Sequence, residues 1–83
     1  MKETREEIDK VNCEILDLLA KRMKLVKKIG EYKKERDIPV EDSEREKQIY
    51  EKIEKLAEEK ELNKEFVKKL FEDIITQAKK EEM

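Results

Sequence analysis

The chain has 83 residues, with 21 Lys or Arg against 23 Asp or Glu and a formal net charge of -2; 53% are charged, 36% are hydrophobic, and there is one Gly, one Pro, one Cys and no His. These counts exclude more than one compact domain and a β-rich fold, which needs turn residues. They also exclude an internal disulfide, zinc sites built on His or paired Cys and His-based acid–base or nucleophilic catalysis.

No apolar run approaches the roughly 20 residues of a membrane span, and neither a membrane nor a secretory segment is expected. A near-neutral total argues against a general nucleic-acid binder. A single Cys fits a reducing cytoplasm. So much charge is also a mark of disorder, but the order of the residues points the other way.

The first element is a helix over about 3–36. Ile8, Val11, Ile15, Leu18, Leu19, Leu25, Val26 and Ile29 recur at steps of three and four. The other faces carry charges in i,i+4 pairs such as Glu6–Lys10. At about 1.5 Å per residue the helix is roughly 50 Å long. A globule of this size has a radius of gyration near 12 Å, too small to bury the whole stripe. Asp37-Ile38-Pro39-Val40 then breaks the pattern, since Pro39 removes a donor and disfavours helix at Ile38.

The second helix starts at Asp42 or Ser43 and runs to about 60. Ser43-Glu44-Arg45-Glu46 matches a capping box, and Ile49, Ile53, Leu56 and Ala57 form its stripe. Asn63 is a good N-cap for a third helix over about 63–81. Its apolar face is Phe66, Val67, Leu70, Phe71, Ile74, Ile75 and Ala78. The chain is therefore expected to be all-α, a single domain over 1–83. The unpaired apolar surface predicts a homodimer of intertwined long helices. A three-helix bundle with an overhanging first helix is the alternative.

Several charges sit where the stripes call for apolar residues. Arg22 lies between Leu18, Leu19 and Leu25, Val26. Taken alone it is a snorkelling side chain with a solvated head. Lys33 lies 11 residues further on, about 20° from the same direction and roughly 16 Å along the axis. The two can reach one small ligand between them. Arg5 opens the stripe, about 25 Å from Arg22, and only an antiparallel partner helix would bring it to the same place. Arg45 shares the apolar face of the second helix, and Glu46 has a structural explanation in the capping box. Ala78 and Glu82 continue the face of the third helix. Singly these residues are surface charges or a frayed end. As a set, cations outnumber carboxylates at one helical core, which suits a small dianion better than a metal.

The set of motifs is more specific than its parts. Arg5-Glu6-Glu7-Ile8-Asp9 opens the first helix, followed by Leu18-Leu19-Ala20-Lys21-Arg22 and Gly30-Glu31-Tyr32-Lys33. Pro39-Val40 and Asp42-Ser43-Glu44-Arg45-Glu46 complete the order. In this the chain resembles the all-helical class of chorismate mutase, from about Thr4 to Glu82.

The resemblance implies an intertwined homodimer of three-helix protomers. It also implies an isomerase of aromatic amino acid biosynthesis (the shikimate pathway), which converts chorismate to prephenate by a [3,3] shift. No cofactor or metal is implied. Arg22, and Arg5 from the second protomer, would each hold a substrate carboxylate. Lys33 would reach the ether oxygen, and Glu46 the ring hydroxyl. Asp42 and Arg45 would line the pocket, and Gly30 would allow close packing beside it.

Two positions depart from the common family pattern: Ala78 where many members have Ser, and Glu82 where many have Gln. An ionised carboxylate cannot donate to the ether oxygen, so Glu82 would have to carry a proton there, which burial favours. A slip of one residue would move that role to Glu81. Two alternatives stay open: an isochorismate pyruvate-lyase-like activity on the same fold, and a non-catalytic helical dimerisation module.

Overall fold

Helix α1 spans Lys2–Glu35, α2 Ser43–Glu59 and α3 Lys64–Glu82 in the computed structural model, which describes residues 1–83. There are no strands. Each helix bound falls one residue from the sequence expectation, within the usual fraying of helix ends.

Both inter-helix loops leave their helix through the same local device. After α1 the Ile38 amide donates to the Lys33 carbonyl at 2.8 Å and the Asp37 amide to the Lys34 carbonyl at 3.3 Å. After α2 the Leu62 amide donates to the Ala57 carbonyl at 2.8 Å and the Glu61 amide to the Glu58 carbonyl at 3.2 Å. These are Schellman pairs. They require a left-handed residue, supplied here by Asp37 (φ 53°) and Glu61 (φ 58°) where Gly is usual.

The start of α2 corrects the capping-box expectation. Asp42, not Ser43, is the N-cap: its φ is −137° and its Oδ1 accepts from the Arg45 amide at 3.0 Å. A carboxylate outcompetes a hydroxyl at a helix N-terminus because it also complements the dipole. Ser43 is then the first helical residue, and Glu46 lies one position too far along to close a box. Its side chain is free for other partners. At the start of α3, Asn63 caps as expected, its Oδ1 accepting from the Phe66 amide at 2.9 Å.

Helix α3 packs against both other helices, while α1 and α2 do not meet. The helices therefore do not close into a bundle within one chain. The buried apolar residues are few: Val26 on α1, Ala57 on α2, and Val67, Ile75 and Ala78 on α3. The C-terminal half of α1 crosses the end of α3 at Gly30. A Cβ there would lie 2.8 Å from both Cα and O of Glu82, so only the missing side chain permits the approach. The N-terminal half of α1 projects beyond everything else. Ile8 is 54% exposed, Val11 and Ile15 50%, and Leu18 66%. The molecule measures 53 × 23 × 15 Å with a radius of gyration of 15.5 Å, well above the roughly 12 Å of a globule of this length.

Candidate active site

A cavity of about 460 Å³ opens where the last four turns of α1, the Val40–Asp42 segment, the first turns of α2 and the end of α3 converge. Its apolar wall is Leu25, Val26, Ile29, Val40, Ile49, Ile75 and Ala78. Its polar groups are Arg22, Lys33, Arg45 and Lys79 against Asp42, Glu46 and Glu82. Four cations thus face three carboxylates.

Helical spacing places these groups. Arg22, Val26, Ile29 and Lys33 follow one another at steps of three and four along one face of α1. Lys33 is largely enclosed. Its Nζ donates to the Val40 carbonyl at 3.0 Å and stands 2.8 Å from Glu82 Oε1. That second approach lies off the hydrogen-bonding direction of the oxygen, which is buried without a hydrogen-bond donor. Ala78, Lys79 and Glu82 lie within little more than a turn of α3. Lys79 Nζ sits 3.0 Å from Glu46 Oε1 and 3.0 Å from Glu41 Oε1. Hydrogen bonding to Glu46, then to Glu41, holds the Lys79 ammonium above its ordinary value of 10.5. Hydrogen bonding to Lys79 in turn holds the Glu41 carboxyl below its ordinary 4.5.

With Asp42 occupied as a cap, each pocket carboxylate already has a partner: Glu82 has Lys33, and Glu46 has Lys79. Neither Arg22 nor Arg45 takes part in an ion pair. Arg22 Nη1 is moreover buried with no hydrogen-bond partner. An orphaned guanidinium N–H is costly unless an anion arrives to meet it.

The structure therefore gathers Arg22, Lys33, Asp42, Arg45, Glu46, Ala78 and Glu82 around one cavity. Arg5 is exposed near the far end of α1, away from the cavity of its own chain. Glu82 rather than Glu81 faces inward. Glu81 lies 3.7 Å from Lys27 Nζ and accepts from Gln77 Nε2 at 3.2 Å. Lys79 is the pocket residue that the sequence did not single out. Nothing local separates it from Lys80, and only the placement of Glu41 and Glu46 marks it.

Fold and cavity together define a small all-helical protein with a cation-rich pocket. Comparison with known proteins gives a family match over residues 4–83, to chorismate mutase type II, and the chain belongs to that family. The chorismate mutase of Methanocaldococcus jannaschii is 39% identical over 77 residues, covering 93% of this chain and 78% of that protein. The bifunctional chorismate mutase/prephenate dehydratase of Aquifex aeolicus is 49% identical over 59 residues, covering 71% of this chain. The protein of the same description from Buchnera aphidicola (subsp. Schizaphis graminum) is 40% identical over 74 residues, covering 89% of this chain. The chain spans only 16% and 19% of the length of these two bifunctional relatives. No solved structure matches it. No helix is long and apolar enough to cross a membrane.

Proposed function

We infer that the chorismate mutase activity of this family resides, in this chain, in the cavity between α1, α2 and α3. The observation that carries the reading is the buried, unpartnered Nη1 of Arg22.

A [3,3] shift needs no nucleophile and no proton transfer. What a protein can supply is orientation and electrostatics. Holding the two substrate carboxylates folds the substrate toward its chair-like geometry and removes part of the entropic barrier. Arg22 takes one carboxylate through its planar fork. Arg5 of a second copy takes the other. As the C–O bond breaks, negative charge grows on the ether oxygen, and donors already aimed there favour the transition state over the ground state. Lys33 and Glu82 are those donors. Lys33 Nζ and Glu82 Oε1 lie 2.8 Å apart. Glu82 can donate only as a carboxylic acid, a form that makes no ion pair with Lys33. Glu46 accepts from the ring hydroxyl, and Arg45 lines the pocket and orients its neighbours.

The second copy has its place on the exposed stripe of Ile8, Val11, Ile15 and Leu18. An antiparallel α1 laid there covers the stripe and carries its Arg5 toward the neighbouring pocket. Residues 1–83 then act as one domain. The exposed, unpaired Cys13 fits a reducing, cytoplasmic setting.

The test is complementation. Purified protein converts chorismate to prephenate, and Arg22→Ala and Arg5→Ala each lose orders of magnitude in kcat/KM while staying folded. Refolding the two variants together restores up to about a quarter of wild-type activity, because half the mixed dimers' sites are intact. No recovery would refute the shared site. Activity on isochorismate alone would refute the reaction. Glu82→Gln keeps a donor beside the ether oxygen and retains activity, whereas Glu82→Ala loses it; a fully active Glu82→Ala would take Glu82 out of the site.

A further inference from the structure

Glu46 stands on the wall between two hollows. One is the Arg22 cavity. The other is an open depression of about 420 Å³ whose rim carries Lys47 and Lys68. A Glu side chain has three rotatable bonds, and nothing on its own helix fixes which hollow this carboxylate faces. The capping box that would have tied it to the backbone is absent, because Asp42 is the cap. Its one ion-pair partner is Lys79, at 3.0 Å. Lys79 lines the Arg22 cavity and not the outer depression.

Lys79 is itself held from the other side. Glu41 Oε1 accepts from its Nζ at 3.0 Å. Glu41 lies between Val40, whose carbonyl accepts from Lys33, and Asp42, which caps α2. Three consecutive residues of the connecting segment are thus fastened to α1, α3 and α2 in turn.

We propose that Lys79 is a positioning residue, which turns the Glu46 carboxylate into the Arg22 cavity and anchors the Val40–Asp42 segment beside it. The proposal rests on the reading of Glu46 as the group that meets the substrate hydroxyl. Lys79 touches no reacting atom. It acts through Glu46, and a second carboxylate, that of Glu41, keeps its ammonium from swinging away to a substrate carboxylate.

The experiment is a double-mutant cycle on purified full-length protein with chorismate as substrate. Lys79→Met, Glu46→Gln and the double variant are compared by kcat and KM, with folding checked by circular dichroism and melting. Lys79→Met lowers kcat/KM roughly ten-fold in the wild-type background, the mid-range of coupling between neighbouring charged groups. In the Glu46→Gln background the same change costs little, and Lys79→Arg retains most of the activity.

Equal losses in both backgrounds would overturn the proposal, since a structural contribution adds independently of Glu46. So would no loss at all, or a neutral Glu46→Gln. If Lys79→Met melts below the assay temperature, the cycle run with Lys79→Gln decides by the same criteria. An inactive wild type would instead refute the functional reading itself, so the two failures are distinct.

Discussion

The substitution Gly30→Ala sets stability against activity in a way the geometry quantifies. The new Cβ would sit 2.8 Å from Cα and O of Glu82 and 3.2 Å from its carbonyl carbon. Those are backbone atoms, so no side-chain rotation relieves the clash. The end of α3 must retreat by about 0.6 Å to reach the 3.4 Å of ordinary contact, or its last turn must fray. Overpacking of this kind costs about 1–3 kcal/mol. Replacing a mid-helix Gly by Ala returns about 1 kcal/mol of helix propensity. The net loss therefore lies between about zero and 2 kcal/mol, or at most roughly 15 °C in Tm for a chain of this size. The site is affected more. Either route of relief moves Glu82 away from Lys33; a 1 Å misplacement costs on the order of a hundred-fold in rate, so about 0.6 Å costs on the order of ten-fold. Steady-state kinetics on chorismate well below Tm, beside a urea titration, separates the two effects. Activity within two-fold of wild type in a folded Gly30→Ala protein would refute the claim that the close approach at Gly30 sets the position of Glu82 for catalysis.

Two further predictions concern stability. Glu61 holds a left-handed conformation at the end of α2, so Glu61→Gly raises the unfolding free energy by about 0.5–1 kcal/mol after the greater unfolded-state freedom of Gly is deducted, and with it the urea midpoint. A lowered midpoint would mean that the Schellman turn is not strained. Glu41 has its carboxyl held below 4.5 in the folded state by Lys79. Its contribution is therefore present above pH 4.5 and is lost as pH falls through the lower folded value. Lys79 mirrors this: raised above 10.5, it contributes below that pH and loses its contribution as pH rises through the folded value. Glu41→Gln flattens the acid limb of the stability profile; an unchanged acid limb would show that the pair carries no linkage. The effect is small, because Glu41 is solvated and salt screens it.

Sequence reasoning works here where a signal is local. The stripes of α1 and α3, the break at Pro39 and the Asn63 cap all rest on spacing or on the chemistry of one residue, and all three appear in the structure. The start of α2 is ambiguous in the sequence because two good caps stand side by side at Asp42 and Ser43, and the backbone geometry of one residue decides. Glu81 and Glu82 are identical side chains a single step apart. What separates them is the crossing of α3 over Gly30, a contact between residues 52 positions apart in the chain. Lys79 carries no local signal for the same reason. Its two carboxylates come from a loop and from another helix, and no window of sequence contains all three.

The absence of any close backbone approach between α1 and α2 has a consequence for the timing of synthesis. Helix α3 alone joins the other two, and it is the last of the three to leave the ribosome. Until it emerges, neither earlier helix has a partner within the chain. Two apolar stripes wait in solvent, kept from aggregating by the dense charge on their outer faces. Lys79 and Glu82 arrive only with the final turns of α3, so the pocket is completed after synthesis of the three helices rather than during it. A nascent chain stalled just short of α3 would be helical in part, soluble and without a pocket.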